Sequence, residues 1–350
     1  MSRIPIALSG LLLGSMVGCV ASVQTGDAGA GGSDSGPAGA RGTGGAAGSG
    51  GATGAGGRGG APDGAGGSGA GGRGGQSGAG SAGSTGAAAG ANGSDGGASP
   101  AVPSAGCARM TARPPNGTVS VANDHIYDFP ASYDGRTPLP LLMALHAAGN
   151  SNTQLEGISN GTRLATSFVR AFPKSAGSAW VYATDAQKVV SAYTDLTNNY
   201  CIDTSRVFLT GHSSGAQMAV QIVCNGDTRY KAVAPVAASR YCTRVMPTSV
   251  MYIQGMMDAM RNNSNGADVV AVFTASNQCS ITTMPFDVPT CTSATDRMTV
   301  TPGCVSYQGC SKPTIWCSHN DHGYNLTDGY EHGWPCFASN AIADFFLALP

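Results

Sequence analysis

Apolar side chains are distributed along this chain in two regimes. After a short apolar opening from Ile4 to Val17 they thin out, and from about residue 105 they return in compact blocks separated by polar turns. Leu139 to Leu145 (LPLLMAL), Arg206 to Thr210 (RVFLT), Lys231 to Val236 (KAVAPV), Val250 to Gln254 (VMYIQ) and Pro313 to Trp316 (PTIW) are apolar runs of strand length and predict buried strands. Ala216, Met218, Ala219, Val220, Ile222 and Val223 predict a mostly buried helix that stops near Asn225-Gly226. Asp268 falls in a second predicted helix, and Asp344 to Leu347 in a terminal one. The stretch from Cys279 to Cys310 reads as an excursion from this core.

Composition explains the gap between the two regimes. Residues 26 to 100 hold 33 of the 53 glycines, mixed with Ala and Ser, and the first aromatic residue is Tyr127. Such a segment cannot bury enough apolar surface to offset its backbone entropy, so 20–104 reads as a disordered tether. The glycines keep no three-residue register and proline is scarce, which sets collagen aside. Residues 105–350 are long enough for one sizeable domain and too short for two ordinary ones.

Ahead of the tether, Arg3 and the apolar stretch from Ile4 to Val17 have the charged start and apolar core of an export signal, and the stretch is short for a membrane span. Its end, Met16-Val17-Gly18-Cys19, resembles a bacterial lipobox. Residues 1–19 therefore read as a lipoprotein-type signal with Cys19 as the lipidation site. The competing reading is an ordinary cleaved signal with an incidental cysteine. The expected location is outside the cytoplasm, at the outer membrane or cell surface through the lipid anchor, or else secreted.

Removing Cys19 from the 11 cysteines leaves an even set between Cys107 and Cys336, as disulfides in an exported chain require. Spacing favours local pairs such as Cys279 with Cys291 and Cys304 with Cys310, leaving Cys201, Cys224, Cys242, Cys317 and Cys336 to pin segments around the helix at 216–223. No C-x-x-C pair occurs, and no metal site is expected. A net charge of −1 with 11% charged residues argues against nucleic acid or an anionic surface as partner and favours a neutral substrate.

The strand at Arg206–Thr210 meets its helix through Gly211-His212-Ser213-Ser214-Gly215, a G-x-S-x-G at a strand-to-helix corner. This is the layout of a nucleophile elbow, with the Ser213 hydroxyl raised above the sheet at the positive end of the helix. A serine hydroxyl needs a histidine to take its proton and a carboxylate to orient that histidine, and on an α/β sheet they follow the serine in the order acid, then histidine. Asp258, in the loop leaving the Val250–Gln254 strand, is the expected acid, against Asp268, Asp287, Asp296, Asp321 and Asp328. His332, followed by Gly333-Trp334-Pro335, is the expected base, with Trp334 as an aromatic wall for substrate. His319 and His322 read as exposed loop histidines.

The N–H groups of Ser214 and of Ala147 or Ala148 are the expected oxyanion donors, Ala147 being preferred. His146 precedes the serine and is expected to brace this loop beside the substrate. His212 neighbours Ser213 but points away from it across the elbow, and is placed with the substrate-contacting residues.

The segments PLPLLMALHAAG, YCIDTSRVFLTGHSSGAQMAVQIVC, YKAVAPVAA, VMYIQGMMD and HGWPCFASNAIADFF resemble, in order and spacing, the exported esterases of carbohydrate esterase family 1, the feruloyl and acetylxylan esterases, and the related polyhydroxybutyrate depolymerases. The resemblance implies an α/β-hydrolase fold: a mostly parallel central sheet flanked by helices, in one catalytic domain with disulfides. It implies ester hydrolysis through an acyl-enzyme without cofactor or metal, with Ser213 as nucleophile, Asp258 as acid and His332 as base. Two positions depart from the pattern. The family commonly has glycine where this chain has Ala147, and the acid loop Gly255-Met256-Met257-Asp258 is more apolar than usual. The first expectation is a serine esterase acting on plant cell-wall polysaccharide esters. A polyester depolymerase is the alternative, and a non-catalytic surface-binding module a third reading.

Overall fold

The computed structural model describes residues 100–239, 242–260, 263–323 and 331–350. Cys19, the signal segment and nearly all of the tether lie outside them. The domain opens with strands β1 (Thr118–Val121), β2 (His125–Asp128) and β3 (Leu139–Leu145). Helices α1 (Asn152–Ser159) and α2 (Arg163–Ser167) lead to β4 (Val169–Phe172), and α3 (Tyr182–Asn199) to β5 (Ile202–His212). Then come α4 (Ser214–Cys224), β6 (Ala232–Val236), β7 (Ser249–Gly255) and α5 (Asn263–Ser276). Four short strands follow, β8 (Thr283–Pro285), β9 (Cys291–Thr292), β10 (Thr299–Val300) and β11 (Gly303–Tyr307), and the chain ends with β12 (Thr314–His319) and α6 (Ala338–Leu347).

Ten of the strands form one sheet in the order β1-β2-β4-β3-β5-β6-β7-β12-β11-β8. From β4 to β12 every neighbouring pair is parallel, and antiparallel strands cap both edges. With its flanking helices this is the α/β-hydrolase fold. The apolar runs read from the sequence are the central parallel strands, whose two faces are both covered, so near-continuous hydrophobicity replaces alternation. The pleat still sorts the residues. Leu141, Met143 and Leu145 of β3 pack with Val207 and Leu209 of β5 against α3, α4 and α5, while Leu142, Ala144 and Phe208 face α1, α2 and α6.

Three expectations are corrected. Cys279 to Cys310 is no excursion from the core, because β8 and β11 extend the sheet and only the β9–β10 hairpin stands apart. Val102 to Ser104, assigned to the tether by composition, already join the domain: the Thr204 N–H donates to the Val102 carbonyl and the Ser104 hydroxyl to the Tyr200 carbonyl. The local cysteine pairs are replaced by longer ones. Cys304 faces Cys317 directly in the β11–β12 register and bonds to it, and Cys279 reaches Cys310. The other bridges are Cys107–Cys201, Cys224–Cys242 and Cys291–Cys336.

Peptide mapping under non-reducing conditions is expected to recover Cys279 linked to Cys310 and Cys304 linked to Cys317. Recovery of Cys279 with Cys291, or Cys304 with Cys310, would contradict this arrangement.

Candidate active site

Ser213 lies at the C-terminal end of the central strand β5 with φ 52° and ψ −114°, a backbone conformation that costs energy for any residue with a Cβ. The corner is tight enough to exclude side chains on either side of it. A Cβ on Gly211 would sit 2.5 Å from the Gly215 backbone, and one on Gly215 would sit 2.1 Å from the Leu145 carbonyl oxygen and 2.5 Å from that of His146. The two glycines of the motif are thus a steric requirement that lets the first turn of α4 close onto the end of β3. The Ser213 N–H donates to the Val236 carbonyl at 2.9 Å, tying the strained residue to β6.

Ser213, Asp258 and His332, which the sequence placed in three separate loops, meet in space. His332 Nδ1 lies 2.8 Å from Asp258 Oδ2, and His332 Nε2 lies 2.8 Å from Ser213 Oγ. A carboxylate only accepts, so the ring proton sits on Nδ1 and Nε2 is left to accept from the serine hydroxyl. All three residues are buried. The carboxylate is held further by Gln254 Nε2, which donates to Oδ2 at 2.7 Å, and by the Met260 N–H, which donates to Oδ1 at 2.9 Å. Gln254 escaped the sequence reading, although a lone amide ending the buried run VMYIQ was a readable signal. Its Oε1 lies 2.6 Å from the Tyr252 hydroxyl.

Two of the other candidate acids serve elsewhere. Asp321 is buried and accepts from the N–H groups of Gly323 and Cys336 at 2.9 and 2.7 Å, which makes it a turn brace. Asp296 pairs with the half-exposed His322 at 3.3 Å. Asp328 lies outside the described residues.

The loop after β3 carries Ala147, which is buried, while the left-handed position falls on Gly149 at φ 72°. Ala147 therefore needs none of glycine's freedom. Ser214 opens α4, and its N–H is one of the helix-terminal donors without an intrahelical acceptor. The packing of Gly215 on Leu145 and His146 brings these two backbone segments together.

His146, His212 and Trp334, which the sequence reading set beside the substrate, are buried and held by interior hydrogen bonds, as His146 was expected to be. His146 is buried, its Nε2 accepts from the Ser175 N–H at 3.3 Å, its Nδ1 lies 2.9 Å from the Ala147 carbonyl, and its own carbonyl accepts from Trp180 Nε1 at 2.8 Å. Burial lowers its pKa and keeps it neutral, as an accepting ring nitrogen requires. His212 Nε2 donates to the His332 carbonyl at 2.6 Å, fixing the backbone of the base. Trp334 packs into the core with Nε1 donating to Ser339 Oγ at 3.0 Å, because the β12–α6 connection turns inward there. His319 is also corrected: it ends β12, is buried, and accepts the Asp321 N–H on Nδ1 at 3.2 Å. The buried Glu331 was missed altogether, and its Oε2 accepts the Met257 N–H at 2.7 Å.

A hydrogen-bonded Ser–His–Asp line at the C-terminal edge of an α/β-hydrolase sheet suits acyl transfer, and the sequence relatives place the chain in a class, the carboxylic ester hydrolases. No protein-family model matches the chain. Two relatives narrow the class. "Probable feruloyl esterase C" of Aspergillus oryzae is 24% identical over 263 residues, covering 70% of this chain and 91% of that protein. "Feruloyl esterase D" of Neurospora crassa is 24% identical over 254 residues, covering 65% and 84%. Among solved structures, "Acetyl xylan esterase from Aspergillus awamori" is 13% identical with a TM-score of 0.40 over 57% of this chain and 91% of that one. On the two sequence relatives, the chain is related to the carbohydrate esterases.

Burial pushes the His319 imidazole down to about 4 from its ordinary value near 6.5. Between those values the unfolded chain binds the proton that the folded chain refuses, so stability rises with pH there and is lost as pH falls from 6.5 towards 4. The loss attributable to this one group is on the order of 3 kcal/mol. Urea titrations at pH 7 and pH 4.5 are expected to show His319→Asn losing less stability than wild type between the two. An equal loss in both proteins would contradict the assignment.

Proposed function

We propose that this chain is an exported serine esterase that cleaves feruloyl or acetyl esters of plant cell-wall polysaccharide through an acyl-enzyme. The observation that carries the reading is the continuous hydrogen-bonded line from Asp258 through His332 to Ser213, with 2.8 Å at each step. The names of the two sequence relatives support the substrate class, and the apolar opening from Ile4 to Val17 supports export.

In this mechanism His332 Nε2 takes the proton from Ser213 Oγ as the oxygen attacks the ester carbonyl carbon. Asp258 stabilises the imidazolium and keeps its ring in register. The negative charge moves to the carbonyl oxygen, where the Ala147 and Ser214 N–H groups and the N-terminus of α4 receive it. Collapse breaks the ester C–O bond, and His332 gives the proton to the departing sugar oxygen, which leaves as a hydroxyl. Water, deprotonated by the same histidine, then attacks the acyl-serine; the bond to Ser213 Oγ breaks, His332 returns the proton to Oγ, and the carboxylic acid is released. The braces on His146, His212 and Glu331 contribute by holding these groups still, so that little reorganisation accompanies the charge shift.

Purified protein is expected to hydrolyse methyl ferulate or acetylated xylan faster than hydroxybutyrate oligomers, and Ser213→Ala to lower kcat by about a thousandfold or more. Produced with its own first 19 residues in a bacterial host, the activity is expected outside the cytoplasmic fraction. Full activity in Ser213→Ala would reject the mechanism, and a preference for hydroxybutyrate would reject the substrate class.

A further inference from the structure

The loop that carries the acid presents an apolar surface that the mechanism above leaves without a task. Its backbone is pinned: the Met256 N–H donates to the His319 carbonyl at 2.9 Å, the Met257 N–H to Glu331 Oε2 at 2.7 Å, and the Met260 N–H to Asp258 Oδ1 at 2.9 Å. On that fixed frame Met256, Met257 and Met260 are 51%, 69% and 48% exposed, whereas Asp258 between them is 1% exposed. Other large exposed apolar side chains are scattered along the chain. Here three fall within five residues, beside a carboxylate that reaches the nucleophile through one imidazole. Gathered apolar exposure marks a contact site, and this one lies on the loop that holds Asp258.

The residue type narrows what is bound. Methionine is unbranched and polarizable, so a cluster of methionines adapts to a flat partner and makes favourable sulfur–ring contacts, whereas β-branched residues would present a stiff, shaped wall. Between Gly255 and Met260 the only charged side chain is Asp258, whose carboxylate is taken up by Gln254, His332 and the Met260 N–H. These thioethers are poor partners for sugar hydroxyls, and an acetyl group offers them little surface.

We propose that Met256, Met257 and Met260 form an adaptable apolar platform that takes the aromatic ring of the acyl group, and so sets a preference for arylalkenoyl over acetyl esters. This rests on the esterase reading above. The platform binds the ring while the ester carbon is presented to Ser213, and it takes part in no bond change. It acts on substrate affinity, and on selectivity between acyl groups, more than on turnover.

The test compares kcat/KM for methyl ferulate with that for methyl acetate in wild type, in Met256→Ser, Met257→Ser and Met260→Ser, and in the triple variant. Ile281→Ser, at a position 99% exposed in the loop after α5, serves as the control for loss of surface hydrophobicity. The triple variant is expected to lower the ferulate-to-acetate ratio about tenfold, mainly by raising KM for ferulate, with smaller effects from single substitutions. The control should leave the ratio unchanged. A ratio within twofold of wild type in the triple variant, or an equal drop in the control, would overturn the platform and leave the esterase reading intact. Wild-type protein inactive on both esters would overturn both.

Discussion

The first turn of α4 is pressed against the end of β3 so closely that a methyl group at Gly215 would overlap the carbonyl oxygens of Leu145 and His146. The arrangement of the site follows from that contact. It fixes the corner at which Ser213 must adopt a positive φ, and it sets the N-terminus of α4 beside the loop bearing Ala147. The strain at Ser213 is tolerated because the surroundings determine it: β5 lies between β3 and β6, Thr210 Oγ1 donates to the Ala234 carbonyl, and the Ser213 backbone is tied to β6. A central parallel sheet with buried faces can hold a strained residue that a surface loop would relax.

Around this corner the chain buries an unusual set of titratable side chains. His146, His212, His319 and His332 lie in the interior with Asp258, Asp321 and Glu331. Each is held by named hydrogen bonds, many of them to backbone: Asp321 gathers two N–H groups, Glu331 takes the Met257 N–H, and His212 reaches the His332 carbonyl. Buried polar groups are costly unless partnered, and these partners fix the backbones of the acid loop and the histidine turn relative to each other. Two loops far apart in sequence are thereby held to hydrogen-bonding tolerance.

Much of this was legible from the residues. The central strands announced themselves as apolar runs because both faces of the sheet are covered. The elbow was readable because its glycines are sterically required, and the acid and histidine because fold order places them after the nucleophile. What escaped depends on three-dimensional neighbours. His319 looked like a loop histidine because Pro313–Trp316 ended the visible strand, yet β12 continues to His319 against Gly255 of β7. Trp334 was read as an aromatic wall, and its packing into the core before α6 depends on neighbours that the sequence does not show. Cysteine pairing followed strand register at Cys304–Cys317, and no sequence spacing encodes register.

The central claim is that Ser213 is activated by His332, and chemical labelling reads that activation directly. Treatment with a fluorophosphonate followed by peptide mass spectrometry is predicted to modify the peptide containing Ser213 in wild type, and to leave it unmodified in His332→Ala, since an unactivated serine reacts too slowly. An unlabelled Ser213 in wild type, or equal labelling in both proteins, would contradict the account.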